Sequence, residues 1–321
     1  MIKHLKISHF KSIREMELDC KRVNVFIGEP NKGKTNILEG IALFSHNLPT
    51  RFQDTFRFSI VSDLFYNFDI SKPIDIQTND TQGQFFYNKK ASNFEFHQLL
   101  LGQMKLRFSI GINGNGGGSV GGFTDIGIRF YNYNKNLTNF KGADLGHLST
   151  PDGDNLPLLI YSHKDLRKIV SDFLKEHGYR LNINPVEREI LLTKEENDEL
   201  YNFKYSLVSE TIKRIVFLML AIESNKNSTL LFDEPEAHTF PFYTKYIAER
   251  IALDTTNQYF LTTHNPYLLS SIISKTPTED LSVGVVYMDN YETKVRVIQP
   301  DQYEELTDAD VFYNLEHLTE A

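Results

Sequence analysis

Cysteine is almost missing from this chain: Cys20 is its one copy in 321 residues. That excludes a disulfide framework and any multi-cysteine metal site, and it fits a reducing, cytoplasmic compartment. No apolar run approaches the ~18 residues of a membrane-spanning helix, so no membrane contact is expected. The opening Met1-Ile2-Lys3-His4 leads into an alternating segment, not into the apolar stretch of a secretory leader, and none is expected. Positive charge is in deficit, with 34 Lys and Arg against 42 Asp and Glu and a net charge of −8. This argues against whole-surface attraction to nucleic acid and leaves only a local basic patch. Internal repeats are absent. Hydrophobic and charged contents of 40% and 24% are ordinary for a globular protein with a core. The length accommodates two average domains or one large α/β unit.

One stretch organises the rest. The apolar run Val23 to Ile27 reads as a buried strand, breaks at Gly28, and gives way to a helical pattern from Thr35 to about Ser45. Between them lies Gly28-Glu29-Pro30-Asn31-Lys32-Gly33-Lys34-Thr35, the G-x-x-x-x-G-K-[ST] phosphate loop in its confirming strand–loop–helix context. Glycine lets backbone N–H groups converge on phosphate oxygens, and the helix start adds partial positive charge. Lys34 would reach the β- and γ-phosphates, and the Thr35 hydroxyl would ligate Mg²⁺. The loop residues Asn31, Lys32 and Gly33, with Asn36 just after, complete the expected nucleotide contacts.

Along the chain, residues 2–10 and 14–20 alternate and, with 22–27, predict three N-terminal strands joined first by the turn Phe10-Lys11-Ser12. Residues 50–110 mix aromatic runs with turn signals and read as an antiparallel β-lobe inserted into a nucleotide core. The glycine run at 111–122 has no Gly-Lys-Ser/Thr and no helix after it, so it reads as a loop or hairpin tip. Residues 163–177 carry Leu166, Ile169, Val170, Phe173 and Leu174 at helical spacing, stopped by Gly178. The acidic run at 194–200 reads as a solvated face.

From Ser209 a second half begins. Residues 212–222 form a helix apolar nearly all round, hence buried, with Ser209 as its N-cap. Thr229 to Phe232 is a short apolar strand delivering Asp233-Glu234, the expected complement to a phosphate loop. Asp233 would hold Mg²⁺ mostly through water, and Glu234 would polarise an attacking water at the γ-phosphate. A helix covers about 241–253. The strand Tyr259-Phe260-Leu261 delivers Thr262-Thr263-His264, where an imidazole can hydrogen-bond the γ-phosphate. Strands 283–288 and 294–298 form a hairpin, and 301–318 reads as an acidic tail helix.

These motifs carry a resemblance. The phosphate loop, Leu231-Phe232-Asp233-Glu234-Pro235-Glu236-Ala237-His238 and Thr262-Thr263-His264-Asn265-Pro266 resemble the ABC-type ATPase heads of the RecF, structural-maintenance-of-chromosomes (SMC) and overcoming-lysogenization-defect group. Within it the chain is most similar to the stand-alone bacterial AAA-family ATPases often found beside genome-defence genes. Phe10-Lys11-Ser12-Ile13 resembles the group's first-hairpin motif, which brings Lys11 and Ser12 to the nucleotide. The resemblance covers roughly 1–45 and 205–300.

It implies a P-loop NTPase of ABC-ATPase type: a parallel core sheet flanked by helices, an N-terminal antiparallel β-lobe and an inserted segment. The parts expected are 1–48 with the phosphate loop, 49–204 as lobe and insertion, and 205–321 with the signature-like helix, acidic strand and switch histidine. It further implies a homodimer sandwiching two ATP molecules, with Ser209 in the signature motif. Here the sequence departs, because Ser206-Leu207-Val208-Ser209-Glu210-Thr211 lacks the usual glycine after the serine. Gln53, Gln77 and Gln103 each remain candidates for the Q-loop. No coiled-coil arm and no appended nuclease are expected. The sequence thus predicts an Mg²⁺-dependent ATPase, with Lys34, Glu234 and His264 as its catalytic groups, that works a separately encoded effector, with DNA as a weaker partner. The alternative is an ATP-binding regulatory module with negligible hydrolysis. A small-molecule kinase or GTPase fits less well, since no Asn-Lys-x-Asp guanine motif occurs.

Overall fold

The computed structural model describes residues 1–45, 48–307, 312 and 315–318. β1 (His4–Phe10) and β2 (Ile13–Asp19) pair antiparallel through Leu5↔Leu18 and Ile7↔Met16, so their apolar residues share the buried face. β3 (Val23–Ile27) is buried at all five positions. The phosphate loop follows, then α1 (Lys34–Ala42). Next, α2 (Leu48–Thr55) takes up the start of the aromatic run, where Phe52 and Phe56, four apart, stack at 4.6 Å between ring centroids.

β4 (Ile74–Thr78), β5 (Gln82–Asn88), β6 (Asn93–Leu100), β7 (Gln103–Ile110) and the short β8 (Gly118–Ser119) continue antiparallel. They extend the first hairpin into one seven-stranded sheet, β2-β1-β4-β5-β6-β7-β8. The glycine run makes the β7–β8 hairpin tip, closed by Gly111 N–H to Asn115 O at 3.0 Å. One apolar core joins this sheet to α1 and to Phe26, Leu231, Phe260 and Val286 of the second sheet.

The remaining elements are β9 (Ile128–Tyr131), α3 (Leu156–Ser162), α4 (Lys164–Glu176), β10 (Arg180–Asn184), β11 (Glu189–Glu196), β12 (Glu199–Lys204), α5 (Glu210–Glu223), β13 (Thr229–Asp233), α6 (Pro241–Leu253), β14 (Gln258–Thr262), α7 (Pro266–Lys275), β15 (Leu281–Asp289) and β16 (Glu292–Val297). The second sheet runs β16-β15-β3-β14-β13-β9. β15–β3, β3–β14 and β14–β13 are parallel, and β16 closes one edge antiparallel. Its inner strands read as continuous apolar runs because helices and a sheet bury both faces of a parallel sheet.

By contact the chain divides into two compact units. One comprises Met1–Phe130, Asn227–Glu236 and Ala248–Ala321; the other comprises Tyr131–Lys226 and Ala237–Ile247. The second unit holds the antiparallel sheet β10-β11-β12 and α5, whose residues from Ile212 to Ile222 are mostly buried, as their composition demands. The acidic run lies across the exposed β11–β12 turn.

The tail departs from expectation. Among the described residues, 300–318 forms only short 3-10 turns at Pro300–Gln302, Glu305–Thr307 and Leu315–Leu318, not a helix. Tyr303 and Leu306 are buried, and the Tyr303 hydroxyl donates to Leu281 O at 3.0 Å, so segment 301–307 is tied to the start of β15 and packs against α7. Residues 308–311 and 313–314 lie outside the described residues. No helix among the described residues is long and apolar enough to cross a membrane.

Candidate functional site

β3 has parallel neighbours on both sides, so its C-terminal end launches residues 28–33 from a fixed edge. The glycines are required by position. Gly28 has φ +152°, and a Cβ there would lie 2.3 Å from the Val286 carbonyl oxygen. Gly33 has φ +93°, and its Cβ would meet Thr293 Oγ1 at 2.1 Å. Asn31, exposed between them, also adopts a left-handed φ of 63°. α1 begins at Lys34 with no side-chain cap at Gly33, so its first N–H groups face an anion readily.

Lys34 is buried, and its Nζ donates to the carbonyls of Gly28 and Glu29 at 3.0 and 2.8 Å. Burial pushes its pKa down to about 8, against the pull of Glu234, Asp233 and Glu29. An ammonium short of counter-charge is one that a polyphosphate would satisfy. Thr35 Oγ1 sits 2.9 and 3.0 Å from the two Asp233 oxygens, and the Thr262 hydroxyl donates to Asp233 Oδ1 at 2.6 Å. A threonine hydroxyl beside a carboxylate is a hard-oxygen set that fits Mg²⁺. Among the described residues no group of three or more His, Cys, Asp or Glu is arranged to hold a metal.

Glu234 takes φ +47°, a left-handed conformation that costs a glutamate about 1 kcal/mol. Its N–H is caught by Thr262, at 3.2 Å from the carbonyl and 3.1 Å from the hydroxyl. The turn aims its carboxylate at His264, with Nε2 to Oε1 2.9 Å. Burial first, then the Lys34 charge, hold the His264 pKa below its usual value, while Glu234 and Asp233 oppose them. A neutral imidazole would donate from Nε2 to Glu234.

The first-hairpin turn meets the loop through a chain of hydroxyls. Asn36 Nδ2 donates to Ser12 Oγ at 2.8 Å, Ser12 and Thr293 hydroxyls lie 2.6 Å apart, and Thr293 Oγ1 donates to Lys32 O at 3.0 Å. The Lys32 ammonium pairs with Glu29 at 3.0 Å on the exposed side. Lys11 is turned elsewhere. Its ammonium bonds the buried carboxylate of Glu39, which Arg57 Nε also meets at 3.0 Å. Burial lowers the Lys11 pKa against the pull of Glu39. Lys11, Ser12, Asn36, Arg57, Tyr66 and Phe68 border a cavity of about 500 Å³ beside the loop.

Lys34, Thr35, Asp233, Glu234 and His264 therefore come together, and Ser12, Lys32, Gly33 and Asn36 adjoin them. Ser209 belongs to the other compact unit, where its Oγ accepts the Ile212 N–H at 3.4 Å as N-cap of α5. Of the glutamines, Gln53 donates to Asn113 O at 2.8 Å, while Gln77 and Gln103 sit in β4 and β7. Thr293, Thr262 and Glu39 were not foreseen in these roles. Thr262 stood inside a quoted motif, and Thr293 offers no local signal, being 281 positions from Ser12.

Residues 129–270 match the family described as AAA domain, putative AbiEii toxin, Type IV TA system. No curated protein matches the chain. Among solved structures it is similar to an SMC head bound to the C-winged helix domain of ScpA, at 15% identity and TM-score 0.55, covering 95% of this chain and 99% of that one. It is also similar to the recombination mediator protein RecF-ATPrS of the RecFOR pathway, at 16% identity and TM-score 0.50, covering 93% and 98%. An SMC head domain from Thermotoga maritima aligns at 15% identity and TM-score 0.46, covering 93% and 99%. The chain accordingly has the fold of an ABC-type, RecF- and SMC-like P-loop ATPase head, with an AAA-domain match over residues 129–270.

Proposed function

We propose that this ATPase-family chain binds and hydrolyses ATP with Mg²⁺, dimerises on ATP, and drives or regulates a partner effector. The observation that carries this reading is the meeting of three pairs at one sheet edge: Lys34 with the loop, Thr35 with Asp233, and Glu234 with His264. Lys34 and the α1 N–H groups take up phosphate charge. Thr35 and Asp233 would hold Mg²⁺, which supplies charge neutralisation at the phosphates. Glu234, released from His264, orients the attacking water and accepts its proton, and His264 donates toward the γ-phosphate.

The RecF neighbour is described with ATPrS and the SMC head with a ScpA domain, which supports a nucleotide and a protein partner for a head of this fold. A homodimer would bring Ser209 of one copy to the γ-phosphate of the other. The effector is separately encoded in this reading, an anti-phage defence role rests on family analogy, and DNA is a weaker partner for an acidic chain. A second reading is favoured by Glu210 standing where a signature glycine is usual: a module that binds ATP, docks an effector and hydrolyses negligibly.

Phosphate release and ATP binding separate the two. Wild-type turnover abolished by Lys34→Ala, with Glu234→Gln binding ATP and accumulating a dimer on gel filtration, is the expected outcome. Tight binding without turnover in the wild type selects the regulatory module. Turnover by Glu234→Gln at the wild-type rate removes Glu234 from its role.

A further inference from the structure

Glu236 stands two residues beyond Glu234, and no step above uses it. It is 7% exposed. The Thr263 hydroxyl donates to Glu236 Oε1, and the same Thr263 oxygen accepts the Asn265 N–H at 2.9 Å. Burial raises the carboxyl pKa to about 7, countered by Thr263 and by the backbone of Glu236 and His264, while the Glu234 charge adds to the rise.

The placement matters more than the charge. β13 and β14 are hydrogen-bonded neighbours whose ladder ends at the pair Asp233↔Thr262. Glu234 and His264 both lie beyond that last pair, on two separate loops, so the sheet alone does not set their separation. Glu234 is anchored backwards onto Thr262 and Thr263 N–H onto Phe26 O at 3.0 Å. The Glu236 side chain crosses from one loop to the other.

We propose that Glu236 is a positioning residue, a buried brace that ties the Glu234 loop to the His264 loop through Thr263 and so sets the distance between water-orienting acid and imidazole. Its Oε1 is taken up by the Thr263 hydroxyl. A misplacement of about 1 Å in such a pair costs on the order of a hundredfold in rate, so the brace acts on turnover rather than on capture of nucleotide. The proposal rests on the ATPase reading above.

Steady-state ATP hydrolysis by the full chain tests it. Glu236→Ala should lower kcat about thirtyfold or more while KM for ATP stays within about threefold. Glu236→Gln, which keeps an oxygen for the Thr263 hydroxyl, should return kcat to within about threefold of wild type. Because the brace acts through His264, adding Glu236→Ala to His264→Ala should cost no more than a further factor of about two. Thr263→Val should match Glu236→Ala and Thr263→Ser should restore activity; this pair decides the matter if Glu236→Ala does not fold. An unaffected Glu236→Ala, a rise in KM with kcat unchanged, a Glu236→Gln no better than alanine, or additive losses with His264→Ala each overturn the proposal. A wild type without Lys34-dependent turnover overturns the ATPase reading and the brace together, whereas wild-type turnover with any of the preceding results overturns the brace alone.

Discussion

The two compact units use buried polar side chains to different ends. In the second unit they close the scaffold on itself: Asn155 bonds Ser149 N–H at 2.8 Å and His147 O at 2.9 Å, and Asn225 holds the Tyr131 hydroxyl at 2.7 Å and Ala221 O at 2.8 Å. In the first unit Thr262 bonds Asp233 and Thr293 bonds the Lys32 carbonyl of the phosphate loop, while Glu39 holds Lys11 and Arg57 and Glu236 holds Thr263. The contrast teaches that similar buried polar side chains serve the scaffold in one unit and the surroundings of the loop in the other. A buried polar network is costly unless every member is satisfied; the first unit sets such bonds beside the phosphate loop at Thr262 and Thr293, whereas Ser209 in the second is held by one long N-cap bond.

The largest way to break this contrast is Gly28→Ala. Its Cβ would collide with the Val286 carbonyl, which should destabilise the fold by about 1–3 kcal/mol in urea melts. A displaced loop should lose about a hundredfold in ATP affinity by titration calorimetry. The next effect is pH. Burial holds Lys34 near 8 in the free chain, and phosphate would raise that value by stabilising the ammonium. Binding therefore takes up a proton as pH rises past 8, and ATP affinity should fall with a limiting slope of about tenfold per unit. A flat profile from pH 7 to 9.5 would show that Lys34 stays charged throughout.

The smallest test sets one hydroxyl from each unit side by side. Thr293→Val leaves the Lys32 carbonyl and the Ser12 hydroxyl short of a partner in a buried cluster, at about 1–3 kcal/mol. It should raise the ATP Kd about fivefold. Ser209→Ala should cost under about 1 kcal/mol and leave Kd within about twofold, with its loss falling on turnover and dimerisation. Equal effects on Kd would erase the distinction between the units.

Much of the first unit was legible because its signals are local. Val23 to Ile27 announces a buried strand, Gly28 and Gly33 mark the loop, and the Asp-Glu pair after an apolar run places a carboxylate beside the Thr35 hydroxyl. The tail was not legible: its acidic run suggested a helix, but Tyr303 reaches the start of β15 and Leu306 is buried in a short turn against α7. Lys11 fitted a motif by sequence, yet Glu39 outbids other partners for its ammonium because a buried carboxylate needs a cation. Thr293 and Glu236 act through contacts between common residue types, one far away in sequence and one on a neighbouring strand's loop. No spacing rule finds those.

The strand order carries a consequence for synthesis. β3 emerges within the first 27 residues, but its two flanking strands start at Gln258 and Leu281. A nascent chain thus displays an apolar ribbon with both hydrogen-bonding edges open until β14 and β15 have been made, the situation that invites pairing with the wrong strand. The edge from which the loop is launched is therefore completed only by strands made more than two hundred residues after it.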